Sequence, residues 1–454
     1  MKLRLSELAQ ALDGQLQGGD VEFDGVCTDT RALKPKQLFV ALRGDNFDGH
    51  EFLRKAASLG AAGALVDKAH DIDLPQVVID DTLLGLQRGA AVWRARFNMP
   101  VVGVTGSNGK TTVKELIAAV LGQNHKVLAT RGNLNNHIGV PLTLLQITPE
   151  HDFAVIEMGA SHAGEIALLN RLARPAVAVI NNAAGAHLEG FGSPEGVARA
   201  KGELFADLAA DGTAIINADD EYAPLWSELA GDRRQLRFGL HVGADVSARA
   251  IESDGSSTRF RLLTPEGEAA VELPLTGRHN VMNALAAAAV VHALGLPTPD
   301  IAYGLAQVKP VSGRLQIRNA AIGARIVDDS YNANPASLAA ALETLTHYSG
   351  ESWLVLGDMG ELGENAEAAH AQAGLAARQA GVTRLYAVGP LSASAVTSFG
   401  EGGRHYAKQA DLIEDLKAEL MPGITVLIKG SRTARMERVA AALEASNAPE
   451  GQPC

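Results

Sequence analysis

The chain has 454 residues, of which 46% are hydrophobic, 20% charged and 4% aromatic, with a formal net charge of -12. That length exceeds a single hydrophobic core and calls for two or three domains, while the acidic balance disfavours a general nucleic-acid binder, since phosphate backbones select basic surfaces. The stretch Met1–Leu8 is too polar for a signal peptide, and Ala284–Leu296 is too short for a membrane span and carries His292. Cys27 and Cys454 show neither metal-ligand spacing nor a disulfide framework, so a cytoplasmic protein is expected.

Apolar runs alternate with helix-period segments throughout, which predicts an α/β protein. Three sections separate, at 1–98, 99–310 and 311–454. In the first, strands are expected at Val26–Thr28, Leu38–Leu42, Ala64–Val66 and Val77–Ile79, and helices at Gly49–Leu59 and Leu83–Arg96. Asn98-Met99-Pro100 breaks the pattern. The second section opens with the apolar strand Val101–Val104, a glycine-rich loop and a helix from Thr111. Phe153–Ile156, Ala176–Ile180 and Thr213–Ile216 read as buried strands, Leu236–Leu275 as an antiparallel stretch, and Val281–Leu294 as an Ala-rich helix. In the third, Ala324–Val327, Trp353–Leu356, Leu385–Val388 and Thr425–Ile428 alternate with helical segments, implying a mainly parallel, doubly wound sheet.

The sharpest chemical signal is Thr105-Gly106-Ser107-Asn108-Gly109-Lys110-Thr111-Thr112, between a buried strand and an amphipathic helix. Glycines let backbone N–H groups curl around a polyphosphate, the helix N-terminus adds partial positive charge, Lys110 can reach terminal phosphates, and a threonine hydroxyl can hold Mg²⁺. Val104 stands where the strict phosphate-loop pattern has its first glycine. Nucleoside triphosphate binding is expected. Glu157 ends a buried strand, where an ionised carboxylate needs a cation or an arginine partner. Read alone, Lys201 is a snorkelling surface lysine, His187 an ordinary loop histidine, and Asn280 a helix-capping residue.

The loop resembles that of the Mur ligase family and its relative folylpolyglutamate synthase. The family's order of segments continues in Gly132–Asn136, Gly139-Val140-Pro141, Ile156–Ser161, Asn181-Asn182-Ala183, Ala186–Glu189, Ala200–Glu203, Gly277–Asn280, Gly313-Arg314, Asp328–Pro335, Gly357–Gly363 and Lys429–Arg432. The resemblance covers essentially the whole chain. It implies a small α/β uridine-binding domain, a central phosphate-loop domain with a parallel sheet and an added antiparallel stretch, and a Rossmann-like third domain. It also implies ATP and Mg²⁺ as cofactors, with Lys110, His187 and Lys201 catalytic. The nucleotide would be held by Gly106 to Thr112, Asn280, Arg314 and Asp329, and the metal by Thr111, Glu157, His187 and a carbamylated Lys201. Histidine is unusual for magnesium, which prefers oxygen donors. Carbamylation needs an unprotonated amine, which burial can supply.

Within the family, Cys27–Arg31, Leu38–Gly44 and Phe47–Phe52 resemble the uridine-binding domain of the last two ligases in the series. The Asp-Asn-Pro-Arg motif typical of the diaminopimelate-adding member is missing, and Asp329–Pro335 with Gly357–Gly363 resembles the member that adds D-alanyl-D-alanine. The resemblance therefore implies UDP-muramoyl tripeptide and D-alanyl-D-alanine as partners, joined through an acyl phosphate. Their binding residues would be Thr28, Asp29, Thr30, Arg31, Asp48, Gly49, Asn135, Asn136, Asn332, Asn334 and Arg432. A monomer is expected, with hinges near Asn98–Pro100 and Lys309–Ser312. The competing readings are a non-catalytic nucleotide-binding relative, for which the cysteine-rich zinc ribbon is lacking, and a ligase adding diaminopimelate or lysine.

Overall fold

The computed structural model describes residues 1–44, 46–184, 188–241, 243–320 and 323–444, with backbone alone at Leu188 and Glu189. His187 and Cys454 therefore lie outside the described residues. The first section builds a sheet ordered Gln15–Gln17, Gln76–Val78, Gly63–Val66, Leu38–Val40, Val26–Cys27, parallel except for its antiparallel first strand. All four expected strands are found, within about two residues at each end. The polar strands Lys2–Arg4, Gln15–Gln17 and Glu22–Asp24 were not legible, because three residues are too few to show a period. Helix Thr82–Arg94 starts where Asp81 accepts hydrogen bonds from Leu83 N and Leu84 N.

The second section is a fully parallel sheet ordered Val127–Ala129, Phe153–Glu157, Val101–Thr105, Val177–Ile180, Thr213–Asn217, Arg234–Phe238. Helices cover both faces, which is why its inner strands read as unbroken apolar runs. Val102, Val104 and Val179 meet Val113, Ile117 and Leu285 on one face, while Ala154, Ile156 and Ala178 meet Ile166, Leu204 and Phe205 on the other. The antiparallel stretch exists as Ser247–Ser253, Thr258–Thr264 and Gly267–Leu273. Leu236 does not belong to it: Arg234–Phe238 extends the parallel sheet instead, with Leu236 and Phe238 buried in its core.

The third section forms a sheet ordered Gln316–Asn319, Arg325–Asp329, Thr425–Lys429, Ser352–Gly357, Arg384–Val388, Gly403–Tyr406, parallel after its first strand. The two junctions differ. One hydrophobic core runs unbroken from the first section into the second, and the Arg94 guanidinium donates to Phe97 O, Met99 O and Ala173 O across the junction at 98–100. The third section has cores of its own and touches the second through polar contacts, among them Tyr348 OH to Gly255 O at 2.8 Å.

Candidate functional site

Strand Val101–Thr105 lies between Phe153–Glu157, reached by a crossover to one side, and Val177–Ile180, reached to the other. Such a switch in strand order opens a crevice at the carboxyl ends of the strands. The glycine-rich loop sits in that crevice, followed by helix Lys110–Leu121. Gly109 has φ of +79°, and a β-carbon there would collide with the Asn181 and Asn283 amides, so glycine is required on both counts.

The crevice deepens into a cavity of about 740 Å³ between the second and third sections. Of the expected residues, Ser107, Asn108, Gly109, Lys110, Thr112, Asn135, Asn136, Glu157, Asn280, Arg314, Asp329, Asn332, Asn334 and Arg432 line it. Gly106 is buried in the loop behind them. Thr111 is buried at its edge, its hydroxyl accepting from Arg314 Nη2 at 2.9 Å. Thr28, Asp29, Thr30, Arg31, Asp48 and Gly49 do not line this cavity. In the first section Arg31 pairs with Asp29 at 2.7 Å, and Asp48 accepts from His50.

Lys110 folds back over its own loop, donating to Gly106 O at 2.7 Å and Ser107 O at 3.3 Å. Burial lowers its pKa, Glu157 opposing and the Arg314 charge reinforcing the shift. Lys201, on helix Pro194–Ala206, is no snorkelling surface residue: it is 2% exposed, with the Phe191 ring centroid 6.0 Å from its amine. Burial first, then the charge of Lys110, lowers its pKa to about 7. Glycine 202 and the neighbouring Leu204 and Phe205 seat this helix in the core, which carries Lys201 inward.

Glu157 is 2% exposed and has no arginine partner among the described residues. Its Oε1 accepts from Asn135 Nδ2 at 2.8 Å, while its buried Oε2 has no hydrogen-bond partner. A buried carboxylate oxygen left open is costly unless a cation meets it. Thr111 Oγ1 adds a hard oxygen donor, and a Lys201 amine that loses its proton near neutrality is open to carbamylation, so this donor chemistry suits Mg²⁺.

Across the cavity, Asp329 and Lys429 end adjacent paired strands and form a salt bridge, with Lys429 Nζ also donating to Asn332 O at 3.0 Å. Arg314 and Arg432 both lie over the Tyr331 ring, their guanidinium carbons 4.3 Å and 5.4 Å from its centroid. Asn334 caps helix Pro335–Leu345 and reaches Asn108 Oδ1 at 2.8 Å, joining the third section to the phosphate loop. Asn280 is no cap: its amide donates to Thr276 O at 2.8 Å and accepts from Asn283 at 3.1 Å.

These contacts expose residues that sequence reasoning passed over as site members. Asn283 Oδ1 accepts from Asn181 Nδ2 at 2.8 Å, the same amide donates to Asn108 O at 2.9 Å, and Asn217 Nδ2 donates to Asn181 O at 2.8 Å. The ladder ties the phosphate loop to helix Arg278–Ala293. Its signal was present, since a buried asparagine in an otherwise apolar, Ala-rich helix needs partners. Lys429 was quoted within a motif but given no role.

A phosphate loop at the switch point of one parallel sheet, facing the strand ends of a second, defines a nucleotide-dependent enzyme working in an interdomain cleft. The chain belongs to the Mur ligase family. Residues 104–291 match the Mur ligase middle domain, 313–432 the Mur ligase glutamate ligase domain, and 22–131 the Mur ligase family catalytic domain. The UDP-N-acetylmuramoyl-tripeptide--D-alanyl-D-alanine ligase of Escherichia coli K12 is 48% identical over 447 residues, covering 98% of this chain and 99% of that one. A crystal structure of MurF from Acinetobacter baumannii superposes with TM-score 0.92 at 35% identity, over 98% of this chain and 99% of the other. MurF from Thermotoga maritima in complex with ADP gives 0.82 at 29% identity, over 92% and 96%.

Proposed function

We propose that this chain joins D-alanyl-D-alanine to UDP-N-acetylmuramoyl-tripeptide at the expense of ATP, giving the pentapeptide precursor of peptidoglycan, ADP and phosphate. The observation that carries the reading is the cleft itself, in which Lys110 and the open Glu157 oxygen face Arg314, Asp329 and Asn334 of the third section. Full-length identity to relatives bearing that name supports the choice of substrates.

Residues 1–98 bind the uridine nucleotide through Thr28 to Arg31 and Asp48-Gly49, residues 99–310 bind ATP, and residues 311–454 receive the dipeptide. The loop amides from Gly106 to Thr112 and Lys110 hold the phosphates, with Asn280 toward the base and Asp329 toward the ribose. Thr111, Glu157, His187 and Lys201 as its carbamate would hold Mg²⁺, which would supply positive charge to the transferred phosphoryl group. The tripeptide's terminal carboxylate takes the terminal phosphoryl group of ATP, releasing ADP. The dipeptide amine then attacks the acyl carbon, loses its proton and displaces phosphate. The protein's part is alignment and charge neutralisation. Asn332 and Asn334 offer polar groups to the dipeptide, and Arg432 grips its carboxylate with two parallel hydrogen bonds. The chain acts as a monomer in the cytoplasm.

The test supplies enzyme, ATP, Mg²⁺ and UDP-muramoyl tripeptide with D-alanyl-D-alanine, D-alanine, lysine or diaminopimelate in turn. Phosphate release with pentapeptide mass for the dipeptide alone is expected. Efficient coupling of lysine or diaminopimelate to a UDP-muramoyl dipeptide would overturn the reading and assign the preceding step in the series.

A further inference from the structure

Away from the cleft, the first section gathers a second set of chemistry-bearing side chains. His50, Asp67 and His70 present ligand-type atoms that all lie within 4.8 Å of one another, the one such trio among the described residues. The fold places them by three separate devices. His50 sits on the 3₁₀ turn Gly49–Phe52 capped by Asp48. Asp67 follows directly on strand Gly63–Val66. His70 lies on the return toward strand Gln76–Val78, where buried Gln76 accepts from His70 N and donates to His70 O, both at 2.9 Å. That clamp fixes the backbone of His70, and its ring stacks on His50 with centroids 5.4 Å apart and planes inclined by 19°.

Two of the three atoms facing inward are left over by everything around them. Asp67 Oδ1 and His70 Nε2 are both sealed from solvent and without a hydrogen-bond partner among the described residues. One such atom is costly, and two aimed at one place ask for a shared partner. The other oxygen of Asp67 is held by Arg43, at 2.6 Å from Nη2 and 2.8 Å from Nε. His50 Nδ1 lies 2.6 Å from Asp48 Oδ1, and because Nε2 accepts from Asp67 N, Nδ1–H is the group that donates to the carboxylate. His50 Nε2 is 3.2 Å from Asp67 Oδ1 and accepts a hydrogen bond, also 3.2 Å, from Asp67 N, which a bound cation would displace. A carboxylate behind an imidazole is the arrangement that orients metal-binding histidines. Two carboxylates, Asp48 and Asp67, outweigh the one guanidinium among them, so the local charge admits a cation.

We propose that His50 Nε2, Asp67 Oδ1 and His70 Nε2 form a binding site for a divalent transition-metal cation, with zinc best suited to two imidazoles and a carboxylate. The cation ties the turn after Asp48 to the segment after strand Gly63–Val66, and leaves one tetrahedral position to water. It lies outside the ATP cleft, and its role is to fix the loop carrying Asp48 and Gly49.

The experiment takes the full chain, stripped with chelator, and titrates it with Co²⁺ alone, then with Zn²⁺ as competitor. One equivalent of Co²⁺ should give the visible absorption of a tetrahedral nitrogen–oxygen site, which Zn²⁺ then bleaches while the melting temperature rises by several degrees. The absorption should vanish in His70→Gln and survive in Glu157→Gln, which alters only the cleft. If circular dichroism shows His70→Gln unfolded, Asp67→Asn takes its place with the same expected loss. No tetrahedral absorption with excess Co²⁺, or absorption that persists in His70→Gln and disappears in Glu157→Gln, would overturn the proposal.

Discussion

The second and third sections both present the carboxyl ends of a parallel sheet to one cleft, yet Lys201 of the one and Lys429 of the other are buried in opposite ways. In the second, Lys201 is buried with no carboxylate in ion-pair contact among the described residues, and Glu157 keeps an open oxygen. In the third, Lys429 is 1% exposed and answered in full by Asp329 and the Asn332 carbonyl. The second section is electrostatically unfinished and depends on ligands for its charge balance. In the third, the Lys429–Asp329 pair is closed by its own partners. Function therefore concentrates strain on one wall of the cleft, while the other wall supplies a rigid counterpart.

The largest effect expected from this contrast is at Lys201. Lys201→Met should cut turnover by at least about 100-fold, through loss of the carbamate that would help hold Mg²⁺, yet leave the fold as stable as before or more so. The pH dependence sharpens the point. The unfolded lysine keeps its proton up to its ordinary value of 10.5, whereas the native amine releases it near 7. Between those values the unfolded state binds more protons, so wild-type stability relative to Lys201→Met should rise with pH across that window. Urea unfolding at pH 7 and pH 9 in CO₂-depleted buffer reads this directly. A variant that is less stable at both would break the comparison.

At Lys429 the same replacement should act in reverse. Lys429→Met strands Asp329 beside an apolar chain and should cost roughly 3 kcal/mol of stability, the usual penalty for removing one partner of a buried pair. Equilibrium unfolding in urea measures it. Loss of activity without loss of stability would show that the third section, too, is held together by its ligands.

The smallest effect concerns the Asn334 amide, which bridges the two walls. Serine at position 334 keeps the helix cap and deletes the hydrogen bond to Asn108, so Asn334→Ser should raise KM for ATP about fivefold, in keeping with one hydrogen bond of about 1 kcal/mol. Its melting temperature should stay near the wild-type value. A larger fall in kcat than rise in KM would mean that the bridge aligns reactants and does more than hold the closed cleft.

Much of this was legible in the amino-acid order. Apolar runs fully buried between helices betray the inner strands Val101–Thr105, Phe153–Glu157 and Thr425–Lys429, because burial on both faces leaves no room for polar residues. The phosphate loop needs only a dozen neighbouring residues to state its chemistry, and Gly109 is demanded by its local φ alone. What could not be read locally is whatever depends on strand order. Edge strands such as Gly403–Tyr406 are short and partly exposed, so they carry weak patterns. Lys201 looks like a surface lysine until crossovers on both sides of Val101–Thr105 bring its helix beneath Lys110. Asp329 and Lys429 are a hundred residues apart and meet only because their strands are neighbours in the sheet. The sequence by itself determined where phosphate chemistry resides. Only the tertiary structure decided which charges are left open to perform it, since burial and pairing belong to neighbours in space.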